Sequence, residues 1–276
     1  MANNTTLLHS PLGQQNEYVS HYQPNLLFPI SRQAQRQQLG IIENALPFHG
    51  EDVWNAYELS WLNATGKPVV GTAEFTFPCT SPHLIESKSF KLYLNSFNNT
   101  PFDSCDAVQT ILTRDLSAAV GAIVRVQLNP LAACELQRQS AFSGVCLDEL
   151  DVACDTYVVT PDYLQVEKER VSEVLYSDLL KSNCPVTGQP DWASVQIHYT
   201  GKKIQQAGLL KYIVSYRDFQ EFHEQCVEKM YCDIQQQCQP EKLFVLARYT
   251  RRGGLDINPY RANYLVKPDN IRLWRQ

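Results

Sequence analysis

The sequence predicts an α+β protein of two tandem modules, each an antiparallel β-sheet backed by helices on one face. The first observation behind this is an internal repeat: "TGKPVVGTAEFTF", starting at Thr65, lies over "TGQPDWASVQIHY", starting at Thr187, at an offset of 187 − 65 = 122. Further on, "SFKLYLNSFNNTPFDSCDAVQTIL" lies over "LLKYIVSYRDFQEFHEQCVEKMYC" at an offset of 120, which places Phe102 over Phe222. Two matching blocks in the same order favour a duplicated module.

The second observation is the alternation of apolar and polar residues in the predicted strands. Ala73, Phe75 and Phe77 alternate with polar neighbours, which is typical of an antiparallel sheet with one covered face. "AIVRVQL" and "KLFVLARYT" follow later in the two halves and are also strand-like. Between the modules, "TYVVT" is a further strand candidate.

The third observation is helical spacing in the second half. Phe222, Cys226 and Met230 recur at helical intervals, after "DFQE", in which Asp218 can cap a helix and Glu221 can reach back. In the first half, Pro101 suits the opening turn of a helix. The stretch "LIESKSFKLYL" alternates instead, so a solvent-facing strand position is the simplest interpretation of Glu86.

These elements divide the chain into four segments. We predict an N-terminal extension over residues 1–50, a first module over 51–130, a connector over 131–170 and a second module over 171–276.

Composition excludes several classes of function. The formal net charge of −5 and the scattered Lys and Arg residues argue against direct nucleic-acid binding. The first forty residues lack the basic start and apolar core of a secretion signal, and no apolar run is long enough to cross a bilayer. A cytoplasmic location is therefore expected, in which the nine cysteines stay reduced. Without C-x-x-C pairs or nearby histidines, no metal is expected.

Comparison of the two halves identifies residues that folding does not require. At the 122 offset, Cys184 and Asp191 stand where the first half has Leu62 and Val69. At the 120 offset, "HE" at residues 223–224 stands over Asp103 and Ser104. In the opposite direction, "ESK" at residues 86–88 stands over "QAG" at 206–208. These polar residues are candidates for chemistry because a second copy of the module lacks them.

The residue types suggest a nucleophile and its partner. A cysteine attacks as thiolate, and an ordinary thiol is only a few per cent ionised at neutral pH, so Cys184 needs an activating neighbour. Asp191 suits a general acid, a general base or an orienting group. His223 and Glu224 are adjacent, diverge by about 100° on a helix, and are expected to line a ligand pocket rather than pair with each other.

The segment "RYTRRGG", residues 248–254, combines arginines with glycines. Arginine pairs with phosphate and glycine permits close backbone approach, so the segment suits a phosphorylated ligand, although a charged hairpin tip is the more common explanation of such a stretch. A Rossmann-type G-x-G-x-x-G is absent from the sequence, so a nicotinamide cofactor would not be held in that manner.

Four segments together resemble one enzyme family. "ESKSFKLYLNSF", "CPVTGQPDWA", "FHE" and "RRGGLDINPYR" resemble the motifs of the NADPH-dependent 7-cyano-7-deazaguanine reductases, the nitrile reductases of queuosine biosynthesis. The resemblance covers essentially the whole chain in the family's long, two-module form. It implies a pair of tunnelling-fold modules, each an antiparallel sheet backed by helices, in a cytoplasmic homodimer that holds no metal.

The resemblance also implies roles for individual residues. Cys184 would form a covalent thioimide with the nitrile, and Asp191 would be the proton donor. The deazapurine substrate would be held by Ile85, Glu86, Ser87, His223 and Glu224. NADPH, used twice per turnover, would contact Ser87, Lys88, Arg252 and Gly253.

Two other classes of function remain open at this point. A cysteine hydrolase acting on nitriles or pterin-like rings would use the same thiol and direct water to the thioimide. A purine-binding protein without turnover would need neither Cys184 nor Asp191, and their joint occurrence in one half argues against that class.

Overall fold

A computed structural model describes residues 18–42, 45–131 and 139–276. The described residues form two compact units. One lies within Met1–Asn44, Asp52–Gln137 and Arg251–Asp256, and the other within Ala45–Glu51, Arg138–Thr250 and Ile257–Gln276. In the described part of the chain, no helix has both the length and the apolar character that a membrane crossing requires.

The first unit combines short and long antiparallel strands with helices. β1 pairs with β4, and β3 pairs antiparallel with β5 on one side and neighbours β2 on the other. The elements in chain order are β1 (Pro29–Ser31), α1 (Gln33–Gln38), β2 (His49–Leu62, of which the first three residues belong to the second unit), β3 (Pro68–Pro78), β4 (His83–Ile85), α2 (Ser87–Asn95), α3 (Cys105–Val120) and β5 (Arg125–Pro130).

One face of this sheet is covered by α2. The predicted alternation of β3 is present, since Ala73, Phe75 and Phe77 are buried. Phe90 of α2 packs its ring against Phe75 at 5.0 Å and against Trp54 of β2 at 5.4 Å between ring centroids. Burying such rings contributes about 2 to 3 kcal/mol each, so this contact anchors the helix on the sheet.

The second unit contains a larger sheet in the order β11-β10-β9-β8-β7. Strands β8, β9, β10 and β11 pair antiparallel with their neighbours in this order. The short strand β7 pairs in parallel with β8. The elements are β6 (Gln139–Ser140), β7 (Val145–Cys146), β8 (Val166–Asn183), β9 (Pro190–Ile204), α4 (Gln206–Val214), α5 (His223–Cys238), β10 (Lys242–Tyr249), β11 (Leu255–Ala262) and β12 (Arg272–Leu273). The predicted α+β class with antiparallel sheets is confirmed.

The helices of the two units match in length and in their internal bonds. α2 and α4 each have nine residues, and α3 and α5 each have sixteen. After α2, Ser96 Oγ donates to the Tyr93 carbonyl at 2.6 Å, and after α4, Ser215 Oγ donates to the Tyr212 carbonyl at 2.6 Å. The structural offset is therefore 215 − 96 = 119 in this helix pair, one less than the offset of the sequence alignment.

A buried tyrosine and aspartate join the two helices of each unit. Tyr93 Oη donates to Asp115 Oδ2 at 2.8 Å, and Tyr212 Oη donates to Asp233 Oδ2 at 2.6 Å. Burial raises the pKa of Tyr212 well above its usual value, so the phenol keeps its proton and remains a donor. The repetition of this bond in both units shows that it belongs to the module's scaffold.

Replacing Asp233 by alanine should destabilise the second unit by about 2 to 3 kcal/mol, because the buried hydroxyl of Tyr212 loses its acceptor. The unfolding midpoint in urea, followed by circular dichroism, measures this. Asp218→Ala is the matched control, since the Asp218 side chain is 69% exposed and its ion pair with Lys181 Nζ is long at 3.8 Å. The unfolding midpoint of this variant should equal that of the parent within error. Equal midpoints for both variants would contradict the scaffold role.

The strand interpretation of "LIESKSFKLYL" is wrong. Only His83–Ile85 is strand, and α2 starts at Ser87 with Glu86 as its N-cap. Phe90, Tyr93 and Leu94 are buried at helical spacing, so the apolar residues of this stretch fit a helix as well as they fit an alternating strand.

The two predicted helix starts are also wrong. Residues 215–218 form a 3₁₀ turn, and α5 begins at His223 after Phe222, so Asp218 caps no α-helix. α3 begins at Cys105, where Ser104 Oγ accepts from the Ala107 amide at 3.1 Å. Pro101 instead lies in an isolated bridge beside Leu62.

The predicted strand "TYVVT" is absent. Residues 156–160 have no strand conformation, Val158 is 76% exposed, and a 3₁₀ turn starts at Pro161. β-branched residues favour strands only where a neighbouring strand and a covered face are available, and this segment has neither.

Candidate active site

Cys184 and Asp191 lie on either side of the turn that joins β8 to β9. The Cys184 amide donates to the Gln189 carbonyl at 2.8 Å, and the Gly188 amide donates to the Cys184 carbonyl at 3.0 Å. Gly188 has φ 67°, a left-handed conformation that glycine adopts without strain. Local backbone bonds thus shape the turn that separates the two side chains.

The register of the hairpin places both side chains on one face. Ser182 is opposite Asp191, and the bond from Cys184 to Gln189 continues the ladder by one step. Side chains two positions apart share a face, so Cys184 and Asp191 are diagonal neighbours, a relation that corresponds to about 7 Å. Cys184 is 5% exposed and Asp191 is 8% exposed, so both functional groups lie in a largely desolvated environment.

His223 is the third member of this arrangement. It is the first residue of α5, and its Nε2 lies 3.6 Å from Asp191 Oδ1. Its ring packs on Tyr249 of β10, with 3.9 Å between centroids. The structure therefore brings Asp191 and His223 together, a contact that the sequence did not predict.

Glu224 follows His223 in the first turn of α5 and is buried. A carboxylate in this position is favoured by the helix dipole. The helix starts show that His223 and Glu224 correspond to Cys105 and Asp106 of the first unit, at an offset of 118, and not to Asp103 and Ser104.

Glu221 is a half-buried carboxyl beside this site that sequence reasoning treated only as a helix cap. Its amide donates to the Asn183 carbonyl at 3.1 Å, and its Oε1 accepts from the Phe222 amide at 3.3 Å. Burial raises its pKa to about 7. The feature that associates Glu221 with the site is its proximity to the Cys184 turn. This proximity exists only in the folded chain, so the sequence could not show it.

The raised pKa of Glu221 makes the protein's stability depend on pH. The folded state holds this proton more tightly than the unfolded state, so the contribution is fully present below about pH 4 and is lost as the pH rises through about 7. Glu221→Gln should remove about 3 kcal/mol of pH dependence across this window, measured by urea unfolding at pH 4.5 to 8. Glu169→Gln, at a side chain 63% exposed, should leave the profile unchanged. A parental profile in Glu221→Gln would contradict the assignment.

In the first unit, Glu86 caps α2 with both carboxylate oxygens. Oε1 accepts from the Lys88 amide at 2.7 Å and Oε2 accepts from the Ser89 amide at 2.8 Å. Burial raises the pKa of Glu86, while these two amide bonds lower it. Each oxygen retains a further lone pair, so the capping role leaves acceptor capacity for a ligand.

The other predicted residues of the first unit flank this cap. Ile85 ends β4 and pairs with Pro29, while Ser87 and Lys88 open α2. Ser87 Oγ lies 3.5 Å from Glu86 Oε1. Ser87 and Lys88 are partly exposed.

Arg252 and Gly253 lie at the tip of the β10–β11 hairpin. Arg252 and Leu255 exchange backbone hydrogen bonds at 2.9 and 3.2 Å, and Gly253 and Gly254 between them both have positive φ. This is the conformation of a tight type I′ turn. The charged hairpin tip expected as one interpretation is present, and it also has the features of a ligand cradle.

Lys91 was missed by the sequence analysis. A Cβ on Gly253 would lie 2.8 Å from Lys91 Cδ, so the lysine stem passes directly over the glycine. Lys91 Nζ also lies 3.1 Å from Glu58 Oε2. Its spacing of three from Lys88 would have identified it had the segment been assigned as a helix.

The residues of the first unit fit a phosphorylated cofactor. Lys88 and Lys91 on α2 and Arg252 at the hairpin tip supply cations, and Arg251 stacks on Tyr57 at 4.6 Å from the ring centroid. Gly253 lets the stem of Lys91 lie against the backbone of the hairpin tip, where a Cβ would clash with it. Among residues 18–42, 45–131 and 139–276, no cluster of His, Cys, Asp and Glu is arranged to hold a metal ion.

The fold and site define an α+β protein in which one unit carries a buried thiol and a buried carboxyl beside a half-buried imidazole, and the other carries a capping glutamate and a basic hairpin tip. Residues 18–128 match the family model described as "Nitrile reductase, 7-cyano-7-deazaguanine-reductase N-term", and residues 190–266 match that described as "QueF-like protein". The chain belongs to the family of 7-cyano-7-deazaguanine nitrile reductases.

Curated relatives of this family match over nearly the full length. The NADPH-dependent 7-cyano-7-deazaguanine reductase of Dechloromonas aromatica (strain RCB) is 59% identical over 269 residues, which covers 97% of this chain and 95% of that protein. The enzymes of the same name from Azoarcus sp. (strain BH72) and Chromobacterium violaceum are 59% and 55% identical, covering 92% and 97% of this chain and 90% and 97% of those proteins.

Proposed function

We propose that this protein reduces the nitrile of 7-cyano-7-deazaguanine to the primary amine 7-aminomethyl-7-deazaguanine with two molecules of NADPH, in the queuosine pathway. The observation that carries the proposal is the pair of buried side chains Cys184 and Asp191, with the half-buried ring of His223 3.6 Å from Asp191. Family membership supports the substrate, since relatives at 55–59% identity bear the name of this activity.

Cys184 is the nucleophile of the proposed mechanism. Its sulfur adds to the nitrile carbon, forming a C–S bond, and the nitrile nitrogen takes a proton to give a thioimide. A nitrile is a poor hydride acceptor, and the protonated C=N bond of the thioimide is a better one. Burial of Cys184 favours the covalent intermediate over loss to water.

Asp191 is the proton donor to that nitrogen. It shares a hairpin face with Cys184, so a nitrile carbon at the sulfur places its nitrogen toward the carboxyl. His223, 3.6 Å away, limits the orientations of this carboxyl and lines the entrance for the substrate. Besides the proton of the thiol, the complete reaction consumes two protons. Asp191 must therefore be reprotonated between one proton transfer and the next.

NADPH supplies the hydride in each of two reductions, the first to the thioimide and the second to the imine formed when the thiolate leaves. The cations of Lys88 and Arg252 would hold its phosphates, with Ser87 and the open backbone of Gly253. Glu86 and Glu224 would accept hydrogen bonds from the ring N–H and exocyclic amine of the deazaguanine, together with His223 and the backbone of Ile85 and Ser87.

Gly253→Ala should raise the KM for NADPH about tenfold and leave the binding of the nitrile substrate unchanged, because the new methyl group displaces the stem of Lys91. Initial rates at varied NADPH measure this. Gly66→Ala is a matched control, since Gly66 has φ +80° and nothing within 4 Å of the new Cβ, so it carries the backbone strain without the clash. Parental NADPH kinetics in Gly253→Ala would remove this turn from the cofactor site.

The direct test of the function is to mix the purified protein with 7-cyano-7-deazaguanine and follow NADPH absorbance and product mass. Two NADPH oxidised per amine formed is the expected result. A hydrolase would release ammonia without consuming NADPH, and a binding protein would change neither reactant. Either of those results would overturn the proposal.

The remaining assignments follow from this activity. The substrate is a small deazapurine, and we expect a homodimer without direct nucleic-acid binding, testable by analytical ultracentrifugation with and without tRNA. We also expect a cytoplasmic location, where NADPH is available and where the eight cysteines of the described residues, none of which forms a disulfide, would stay reduced.

A further inference from the structure

Two buried hydroxyls lie beside the catalytic carboxyl and have no role in the mechanism described above. Ser182 is fully buried and Tyr249 is 1% exposed. By distance and angle, neither Ser182 Oγ nor Tyr249 Oη has a hydrogen-bond partner among the described residues, although both hydroxyls lie close to each other and to the thiol of Cys226. A buried hydroxyl without a partner costs about 1 to 3 kcal/mol, and such groups are rare in folded proteins.

Strand register places both hydroxyls on the face that carries Asp191. Ser182 on β8 is directly opposite Asp191 on β9. Tyr249 on β10 is opposite Ala193, which shares its face with Asp191 two positions away. Three neighbouring strands therefore direct one hydroxyl, one carboxyl and one phenol to the same side of the sheet.

Side-chain contacts support this convergence. The ring of His223 packs against the ring of Tyr249. His223 Nε2 in turn lies 3.6 Å from Asp191 Oδ1. Burial raises the pKa of Tyr249 well above its usual value, Cys226 and Asp191 raise it further, and the neighbouring Ser182 hydroxyl lowers it, so the phenol keeps its proton. Tyr249 is thus a permanent donor beside a carboxyl that must change its protonation state.

We propose that Ser182 and Tyr249 are positioning residues for the reduction, and that their hydroxyls orient the carboxyl of Asp191 for proton transfer when the substrate is bound. Hydrogen bonds at active sites are often long until the substrate binds, which is consistent with two hydroxyls that share a sheet face with the carboxyl but do not bond to it. The Tyr249 ring also packs against His223 and so helps to fix the position of the imidazole. The inference rests on the proposed function and extends it to residues outside the substrate and cofactor contacts.

The ionisable groups around Asp191 come from three elements. Cys184 follows β8, Tyr249 ends β10, and α5 contributes His223 and the thiol of Cys226. Glu221 precedes α5 and acts on Cys226 by its charge. A pH profile must therefore be compared between variants that change one of these groups only.

The experiment uses Tyr249→Phe, which keeps the ring under His223 and removes the hydroxyl, together with Ser182→Ala and the double variant. Each single variant should lower kcat about ten- to a hundredfold with the KM values for nitrile and NADPH nearly unchanged, because misplacing a reacting group costs rate. Loss of a donor to the carboxylate should move the pH midpoint of thioimide formation, measured by stopped flow without NADPH, upward by about half a unit or more. The double variant should be less impaired than the product of the single effects.

Tyr231→Phe is the matched control, because its buried hydroxyl donates to the Pro47 carbonyl at 2.9 Å and lies outside the site. It should leave kcat and the pH midpoint unchanged. The inference is overturned if Tyr249→Phe and Ser182→Ala, folded by circular dichroism, have the parental kcat and pH midpoint, or if Tyr231→Phe is impaired equally. If the parent protein itself oxidises no NADPH, the proposed function has failed instead.

Discussion

Cys184→Ala should lower kcat for nitrile reduction by about 10⁴-fold or more, because no other group can form the covalent intermediate that makes the carbon electrophilic. The variant should still bind 7-cyano-7-deazaguanine, since the proposed base contacts come from Glu86, His223 and Glu224. NADPH oxidation and intact-protein mass spectrometry test both parts. The parent protein incubated with nitrile alone should gain the mass of one substrate, and the variant should gain none.

Cys105→Ala is the control for this experiment. Cys105 is a free cysteine at the start of α3 in the first unit, and its replacement should leave both rate and adduct unchanged. If Cys184→Ala reacts as fast as the parent, or if the adduct forms on another cysteine, the mechanism is wrong.

Asp191→Asn should slow reduction of the thioimide about 10²- to 10⁴-fold and slow its formation much less, because the thiol itself carries a proton for the addition, whereas the later steps need protons that an amide cannot deliver. Intact mass should therefore show the covalent adduct accumulating with NADPH present. Stopped-flow absorbance separates adduct formation from hydride transfer.

Asp218→Asn is the matched control for Asp191, since the Asp218 side chain is largely exposed beside Lys181. Its turnover should equal that of the parent. If Asp191→Asn turns over as fast as the parent, the carboxyl is not the proton donor. If the folded variant forms no adduct, Asp191 serves to activate the thiol instead.

The candidate site could be predicted largely from the repeat and the motifs. A duplicated module provides its own comparison, and Cys184 and Asp191 stood out because the first half has Leu62 and Val69 instead. The turn between them is shared by both halves, so its local chemistry followed from "TGQP" alone. These features depend on near neighbours in the chain, which a sequence displays directly.

The helix boundaries could not be predicted in the same way. Glu86 caps α2 with two amide bonds, although its surroundings alternate like a strand. Short apolar runs fit both periods, and the packing of Phe90 on Phe75 decides between them. The same limitation made the Asp218 cap and the "TYVVT" strand plausible before the fold was known.

By itself, the sequence determined that this protein has two related α+β modules, which of them carries the thiol and the carboxyl, and which family it resembles. Only the tertiary structure decided that His223 lies against Asp191, that Lys91 passes over Gly253, and that Ser182 and Tyr249 share a sheet face with Asp191. The reason is physical: repeats and turns arise from local chain chemistry, whereas these contacts join residues from different strands and helices, and strand register and helix packing bring them together.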